Sequence, residues 1–283
     1  MLTGVAIALS LAFVAVCGTL WALQDRLIFP APTAPLPFAS ASGEVIELGT
    51  ADGERLAALW HPPESGEPIV LFLHGNGTAI ATMGPVVDAL ADAGFGVLMP
   101  AWRGYPGSTG RPSEAGILLD AEAAHDFAAA FAARAGAAGV AVYGQSLGTG
   151  AAVHLASTRA VRALVLEASY DSVLAVASGR FPVLPVAALL RHPFRSDRRI
   201  GGVEAPILIH HGTADRVIPI AHGRALHALA PEGARLNEVE GASHFNIGAL
   251  TLDATIRFLR EAAAPGGREA TGDRAVSTAT QTR

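Results

Sequence analysis

From Met1 to Gln24 no charged side chain interrupts the chain, and apolar residues face every side of a helical projection. About 20 such residues span a bilayer, so the pattern predicts an N-terminal membrane anchor over 1–24. A cleaved signal peptide is the alternative, but it needs a positive n-region and a shorter run. The small-x-small site Ala39-Ser40-Ala41 lies well beyond the run. Pro30, Pro32, Pro35 and Pro37 predict an extended connector over 25–43, so a chain beginning near Ala31 should be soluble and intact. After that the pattern changes. Strands are predicted over 44–48, 56–60, 69–73, 96–100, 140–143, 163–166, 207–210 and 236–239. Helical periods fall over 86–93, 114–133, 148–157, 220–230 and 250–259. Several strand runs are apolar throughout, as burial on both faces requires. Strands alternating with helices predict an α/β domain over 44–263, with a parallel sheet covered on both sides. Residues 264–283 are polar and aperiodic, and read as a loose tail.

Composition narrows the function classes. The chain has 283 residues, of which 51% are apolar and only 16% charged. That excludes a disordered chain. Lys plus Arg is 20 against 25 for Asp plus Glu, a net charge of -5. No basic excess is available to neutralise phosphates, which argues against nucleic acid as a partner. Cys17 is the one cysteine, so no intrachain disulfide and no thiolate zinc site can form. Carboxylates are not clustered at ligand spacing, so no metal and no cofactor is expected. All basic side chains are Arg, and with abundant Ala and Gly this usage suggests a GC-rich bacterial genome and hence an inner-membrane location. Arg26 alone flanks the anchor, which leaves the orientation open.

Gly144-Gln145-Ser146-Leu147-Gly148 fits G-x-S-x-G, directly after a predicted strand and before a predicted helix. That turn is so tight that its neighbours must be small, and it lifts the serine Oγ into a cleft. Ser146 is therefore the candidate nucleophile. It needs a base, and the base needs an orienting acid. With a serine so placed, the acid follows in the chain and the histidine comes last. Asp215 lies in His211-Gly212-Thr213-Ala214-Asp215, just after one predicted strand. His244 lies in Glu240-Gly241-Ala242-Ser243-His244, just after another. All three leave the same edge of a parallel sheet, where such sheets keep their functional groups. Glu167, ending the 163–166 strand, is the rival acid. His210 and His211 read as architectural. For the oxyanion, the candidate donors are the N–H groups of Leu147 and of Asn76, the latter in His74-Gly75-Asn76-Gly77.

These motifs, with Arg103-Gly104-Tyr105-Pro106-Gly107-Ser108-Thr109-Gly110 and Leu166-Glu167-Ala168-Ser169-Tyr170-Asp171-Ser172, resemble the α/β-hydrolase superfamily. The nearer resemblance is to its single-span, membrane-anchored branch, often labelled serine aminopeptidase-like. Gln24-Asp25-Arg26-Leu27-Ile28-Phe29-Pro30 is similar to the segment after the anchor there. Phe194-Arg195-Ser196 departs from that pattern, since relatives carry an acidic or amide residue between the aromatic and the serine. The resemblance implies an α/β-hydrolase fold with a small cap insertion at about 171–204. It also implies a serine hydrolase working through Ser146, His244 and Asp215. The expected substrate is a small-molecule or lipid-like acyl ester or thioester. A peptidase or aminopeptidase with the same three residues, and a non-catalytic binding scaffold on the fold, are the alternatives. In the cap, an apolar run over 181–190 precedes Arg191, Arg195, Arg198 and Arg199. It reads either as a core helix with a basic end, or as a cap near the bilayer whose arginines meet anionic head groups.

Overall fold

The computed structural model describes residues 2–32 and 43–264. In chain order the elements are α1 (Leu2–Ile28), β1 (Glu44–Gly49), β2 (Arg55–His61), β3 (Ile69–Leu73), α2 (Gly84–Asp92), β4 (Gly96–Pro100), α3 (Glu114–Ala135) and β5 (Val140–Gln145). There follow α4 (Gly148–Thr158), β6 (Leu164–Glu167), α5 (Val173–Arg180), α6 (Val186–Leu189), β7 (Ile207–Gly212), α7 (Ile220–Leu229), β8 (Arg235–Val239) and α8 (Ile247–Ala263). The strands form one eight-stranded sheet in the order β1-β2-β4-β3-β5-β6-β7-β8. Strands β3 to β8 run parallel; β1 and β2 are antiparallel additions at one edge. The mostly parallel sheet covered by helices is what the alternation of strands and helices predicted, and its arrangement is the α/β-hydrolase fold that the resemblance implied.

Burial follows position in the sheet. Every residue of β3, β4, β6 and β7 is buried, because helices cover both faces of the central strands. The edge strands β1 and β8 are exposed or half-buried instead, with Leu48 the one buried residue between them. Helix α3 begins where Ser113 accepts a hydrogen bond from the Gly116 N–H, and it ends at Gly136 in a left-handed conformation, start and stop signals that a helix of this length uses. Helices α3 and α4 pack side by side, while Arg260 of α8 donates to the Ala93 carbonyl just beyond α2.

Helix α1 continues past the apolar run, through Asp25 and Arg26 to Ile28. Its last turn is held by the cap, 165 residues away. Gln24 Nε2 donates to the Leu189 carbonyl at 3.1 Å, and Gln24 Oε1 accepts from the Arg191 N–H at 2.8 Å. Asp25 pairs with Arg191 at 2.7 Å and His192 at 2.9 Å. Phe29 is buried, with edge contacts to His192 and Phe194. A chain beginning at Ala31 therefore lacks a core side chain, and a soluble form should begin ahead of Gln24. The rest of the expected connector, with Pro35, Pro37 and Ala39-Ser40-Ala41, and the tail beyond Ala264 lie outside the described residues.

The cap departs from the core-helix reading of its apolar run. Only Val186–Leu189 is helical, and no residue of that turn is buried, so it is not a core helix. Two of the arginines behind it pair within the chain, Arg191 with Asp25 and Arg195 with Asp197.

Arg103 is the chief buried ionic centre. Its Nε and backbone N–H both donate to Asp120, at 2.8 and 2.9 Å, and its terminal nitrogens reach Asp52 at 2.7 and 3.1 Å. The hydrogen bonds from Arg103 hold the Asp52 carboxyl down at about 2. Asp120 is wholly buried. Arg103→Met strands that carboxylate, at a cost of about 3–5 kcal/mol. At roughly 2–4 °C per kcal/mol the melting temperature should fall by about 10 °C. Arg103→Met with Asp120→Leu should recover part of the loss. Thermal melts of the two variants check this.

Two buried imidazoles make the fold acid-sensitive. Burial holds both His74 and His210 at about 4, below the ordinary 6.5. Between those values the unfolded chain binds protons that the folded chain does not. Stability contributed by the neutral rings is therefore complete above about 6.5 and declines as pH falls toward 4. Each ring adds a slope of up to about 1.4 kcal/mol per pH unit. Urea midpoints measured from pH 7 to 4 should fall accordingly; a flat profile in that window contradicts the assignment.

Candidate active site

Ser146 sits between β5 and α4 with φ of 49°, a backbone region that side chains rarely adopt. The surrounding contacts explain both the strain and the glycines. A Cβ on Gly148 would lie 2.0 Å from the Leu73 carbonyl oxygen, and one on Gly144 would lie 2.6 Å from Ala152 Cβ. The start of α4 is thus pressed against the ends of β3 and β5, and the chain can reverse only by passing through Ser146. Tyr170 secures the turn from the far side, its hydroxyl donating to the Leu147 carbonyl at 2.9 Å.

The structure brings the predicted nucleophile, base and acid together. His244 Nε2 lies 3.0 Å from Ser146 Oγ, and His244 Nδ1 lies 2.7 Å from Asp215 Oδ2. Asp215 Oδ1 faces the other way and accepts from the N–H groups of Val217 and Ile218, each at 2.8 Å. Burial pushes the Asp215 carboxyl up, but the bonds from His244, Ile218 and Val217 outweigh it and hold the group below its ordinary value. An ionised acid at this position orients the imidazole through Nδ1–H and leaves Nε2 to accept a proton. His211, behind the acid, spends its Nε2 on the Ile218 carbonyl at 2.8 Å, and His210 is bonded to Thr255 and Asn237. Both are architectural, as their place in the sequence suggested.

Glu167 occupies a different place from Asp215. It is fully buried at the end of β6, beside β5. Tyr143 donates to one carboxylate oxygen and Gln145 to the other, the latter at 2.8 Å. Gly248 in the first turn of α8 backs onto the same carboxylate. Burial raises its carboxyl above the ordinary value. The histidine's hydrogen bond goes to Asp215, so of the two candidates Glu167 is not the group that orients it.

The loop after β3 lies directly over the serine, since a Cβ on Gly75 would be 3.3 Å from Ser146 Cβ. Asn76 follows. Its side-chain oxygen accepts from the Tyr105 hydroxyl at 3.0 Å, and the Gly77 N–H approaches the same hydroxyl at 3.4 Å. The loop is further tied by Trp102, which donates to the His74 carbonyl. Neither the Asn76 nor the Leu147 N–H donates to another group among the described residues. Both remain available to an incoming oxygen. Tyr105 and Tyr170 are positioning residues that spacing alone did not reveal; the one available signal was that each falls within a motif of the resemblance. A broad groove elsewhere, lined by residues 156–161, 202–207 and 231–234, opens at the opposite end of the strands and contains none of these groups.

Comparison with known proteins agrees with this geometry at the level of fold. A family model described as the alpha/beta hydrolase fold matches residues 68–182. The uncharacterized protein Rv2307c of Mycobacterium tuberculosis is 36% identical over 256 residues, covering 87% of this chain and 91% of that protein. Human protein ABHD12B is 33% identical over 61% of this chain and 52% of its own length. Among solved structures, an esterase of Pyrococcus furiosus, Pf2001, superposes with a TM-score of 0.66 at 17% identity, covering 82% of this chain and all of that one.

Proposed function

The chain belongs to the α/β-hydrolase family, and we propose that within it the protein is a membrane-anchored serine hydrolase cleaving acyl esters or thioesters of lipophilic character. It is a hydrolase; the bond, the acyl group and the residue roles are the proposal. The observation that carries it is the unbroken line of hydrogen bonds from Asp215 through His244 to Ser146, at 2.7 and 3.0 Å.

The chemistry follows from that line. Ser146 Oγ attacks the acyl carbonyl while His244 Nε2 takes its proton. The carbonyl oxygen becomes an oxyanion beneath the Asn76 and Leu147 N–H groups, at the positive end of α4. The tetrahedral intermediate collapses, the carbonyl re-forms, and the imidazolium returns its proton to the departing alcohol or thiol. Water, deprotonated by the same nitrogen, then releases the acid and restores Ser146. Asp215 balances the charge on the imidazolium throughout.

The membrane part rests on α1. It is 27 residues long with a mean hydropathy of 2.2 over its most apolar stretch, and none of that stretch is buried by the domain. A signal sequence has the same character; the bonds of Gln24 and Asp25 to the cap favour a retained helix.

A fluorophosphonate probe added to the intact protein should label Ser146 stoichiometrically, as read by peptide mass. A panel of p-nitrophenyl esters, acyl thioesters and aminoacyl anilides then separates the bond classes. Hydrolysis confined to the anilides would overturn the ester reading in favour of a peptidase. No label on any serine would point to a binding scaffold.

A further inference from the structure

We propose that the tip of the cap, residues 181–185, is a membrane-docking surface that dips into the same bilayer leaflet from which α1 emerges. The inference rests on the reading of α1 as a retained span and goes beyond it.

The argument is one of depth along α1. At 1.5 Å per residue, about 20 residues fill the hydrocarbon core. The uncharged run closes at Gln24, so the helix leaves the core near Trp21, a side chain suited to the interface. The next turn holds Gln24 and Asp25, which bond to Leu189, Arg191 and His192. Phe29, beyond the helix end, packs on His192 and Phe194. The cap segment from Leu189 to Phe194 thus runs alongside the end of α1 and in the same direction, away from the bilayer.

The cap is a hairpin of α5 and α6, and its base is fixed at the outer end of that segment. The Leu174 N–H donates to the Pro193 carbonyl, level with the Phe29 contacts. The hairpin's far end therefore lies on the other side of Leu189, toward Trp21. The guanidinium of Arg191 already reaches back that way, lying 5.0 Å from the Trp21 ring. Helix α6 adds one turn, about 6 Å, and residues 181–185 extend beyond it.

The tip has the composition for that depth. Residues 181–190 carry no charge, and Arg180 and Arg191 bracket them. Phe181 is 49% exposed and Val183 is 82% exposed; the domain's other exposed large apolar side chains, such as Val45, Leu229 and Phe245, stand singly in the chain, whereas these two share one uncharged segment. Leu23 and Leu27 are also exposed, on the turns of α1 that lie at the interface in this reading. Interfacial segments of this kind sit about 5–10 Å into the headgroup and acyl boundary. The base of the same hairpin follows Tyr170, which touches the nucleophile turn. A docked tip would open the site toward the plane of the membrane.

The test uses the full chain in lipid nanodiscs with an NBD fluorophore on one cysteine at a time. Native Cys17 reports on α1. Val183→Cys, in a Cys17→Ser chain, reports on the tip; Glu232→Cys, at the opposite end of the strands, is the aqueous control. Circular dichroism melts confirm that each labelled chain is folded, and Phe181→Cys serves as a second tip position. The expected result is quenching of Cys17 and Val183 by doxyl-labelled lipid, with at least 5-fold protection of both from iodide relative to Glu232. If Cys17 is quenched by lipid while both tip positions behave like Glu232, the docking surface is overturned and the anchor stands. If Cys17 itself is open to iodide, the anchor reading fails and the docking surface with it.

Discussion

Ser146→Ala should lower kcat for ester hydrolysis by about 10⁶-fold and abolish fluorophosphonate labelling, while the melting temperature stays where it was. The first part follows from the loss of the attacking atom. The second follows from the backbone. Position 146 is held at φ 49°, and an alanine tolerates that value in this very chain, since Ala168 has the same φ. The side-chain oxygen makes one recorded bond, to His244, so its removal leaves no buried group without a partner except the half-buried imidazole. His244→Ala should cost about as much in kcat, because the serine without its base is no better than no serine. The double variant should be no worse than either single one, as expected of groups that act as a unit. Steady-state and single-turnover rates on one p-nitrophenyl ester decide the matter. Residual labelling of Ser146→Ala would reveal a second nucleophile.

What the chain discloses locally and what it withholds follow from where the partners lie. The strands β3 to β7 were legible because each is buried on both faces and so reads as a continuous apolar run. The nucleophile turn was legible because its glycines are forced by contacts a few residues away. The candidate acid and base could be placed because the order and the strand ends constrain them. The end of α1 was not, because Asp25 and Arg26 look like the close of a helix until Arg191 and His192 are seen beside them. Nor did any local pattern tie Arg103 to Asp52 and Asp120, 51 and 17 residues away. The core-helix reading of the apolar run in the cap failed for a related reason. Hydrophobicity at helical spacing predicts burial against the protein's own core, whereas here most of that run is exposed, alongside the end of α1.

Asp215→Asn should lower kcat by about 10⁴-fold, with Glu167→Gln falling by less than 10-fold. The hydrogen bonds around the acid explain why so small a change is so costly. Oδ1 is committed to the N–H groups of Val217 and Ile218, so an asparagine must place its carbonyl oxygen there. Its amide nitrogen then faces His244 Nδ1 and donates to it. The imidazole is driven into the tautomer with hydrogen on Nε2, the nitrogen that must accept the serine proton, and the imidazolium loses its balancing charge. At 167 the same exchange touches neither Ser146 Oγ nor the ring of His244. There the glutamine keeps its oxygen for Gln145 and donates its amide to the Tyr143 hydroxyl, which accepts as well as donates. The loss is of the charge that strengthens both bonds, about 1 kcal/mol of stability, visible in a melt and not in turnover. The two variants therefore separate on two axes, kcat/KM and melting temperature. A dead but well-folded Glu167→Gln beside an active Asp215→Asn would reassign the acid to Glu167.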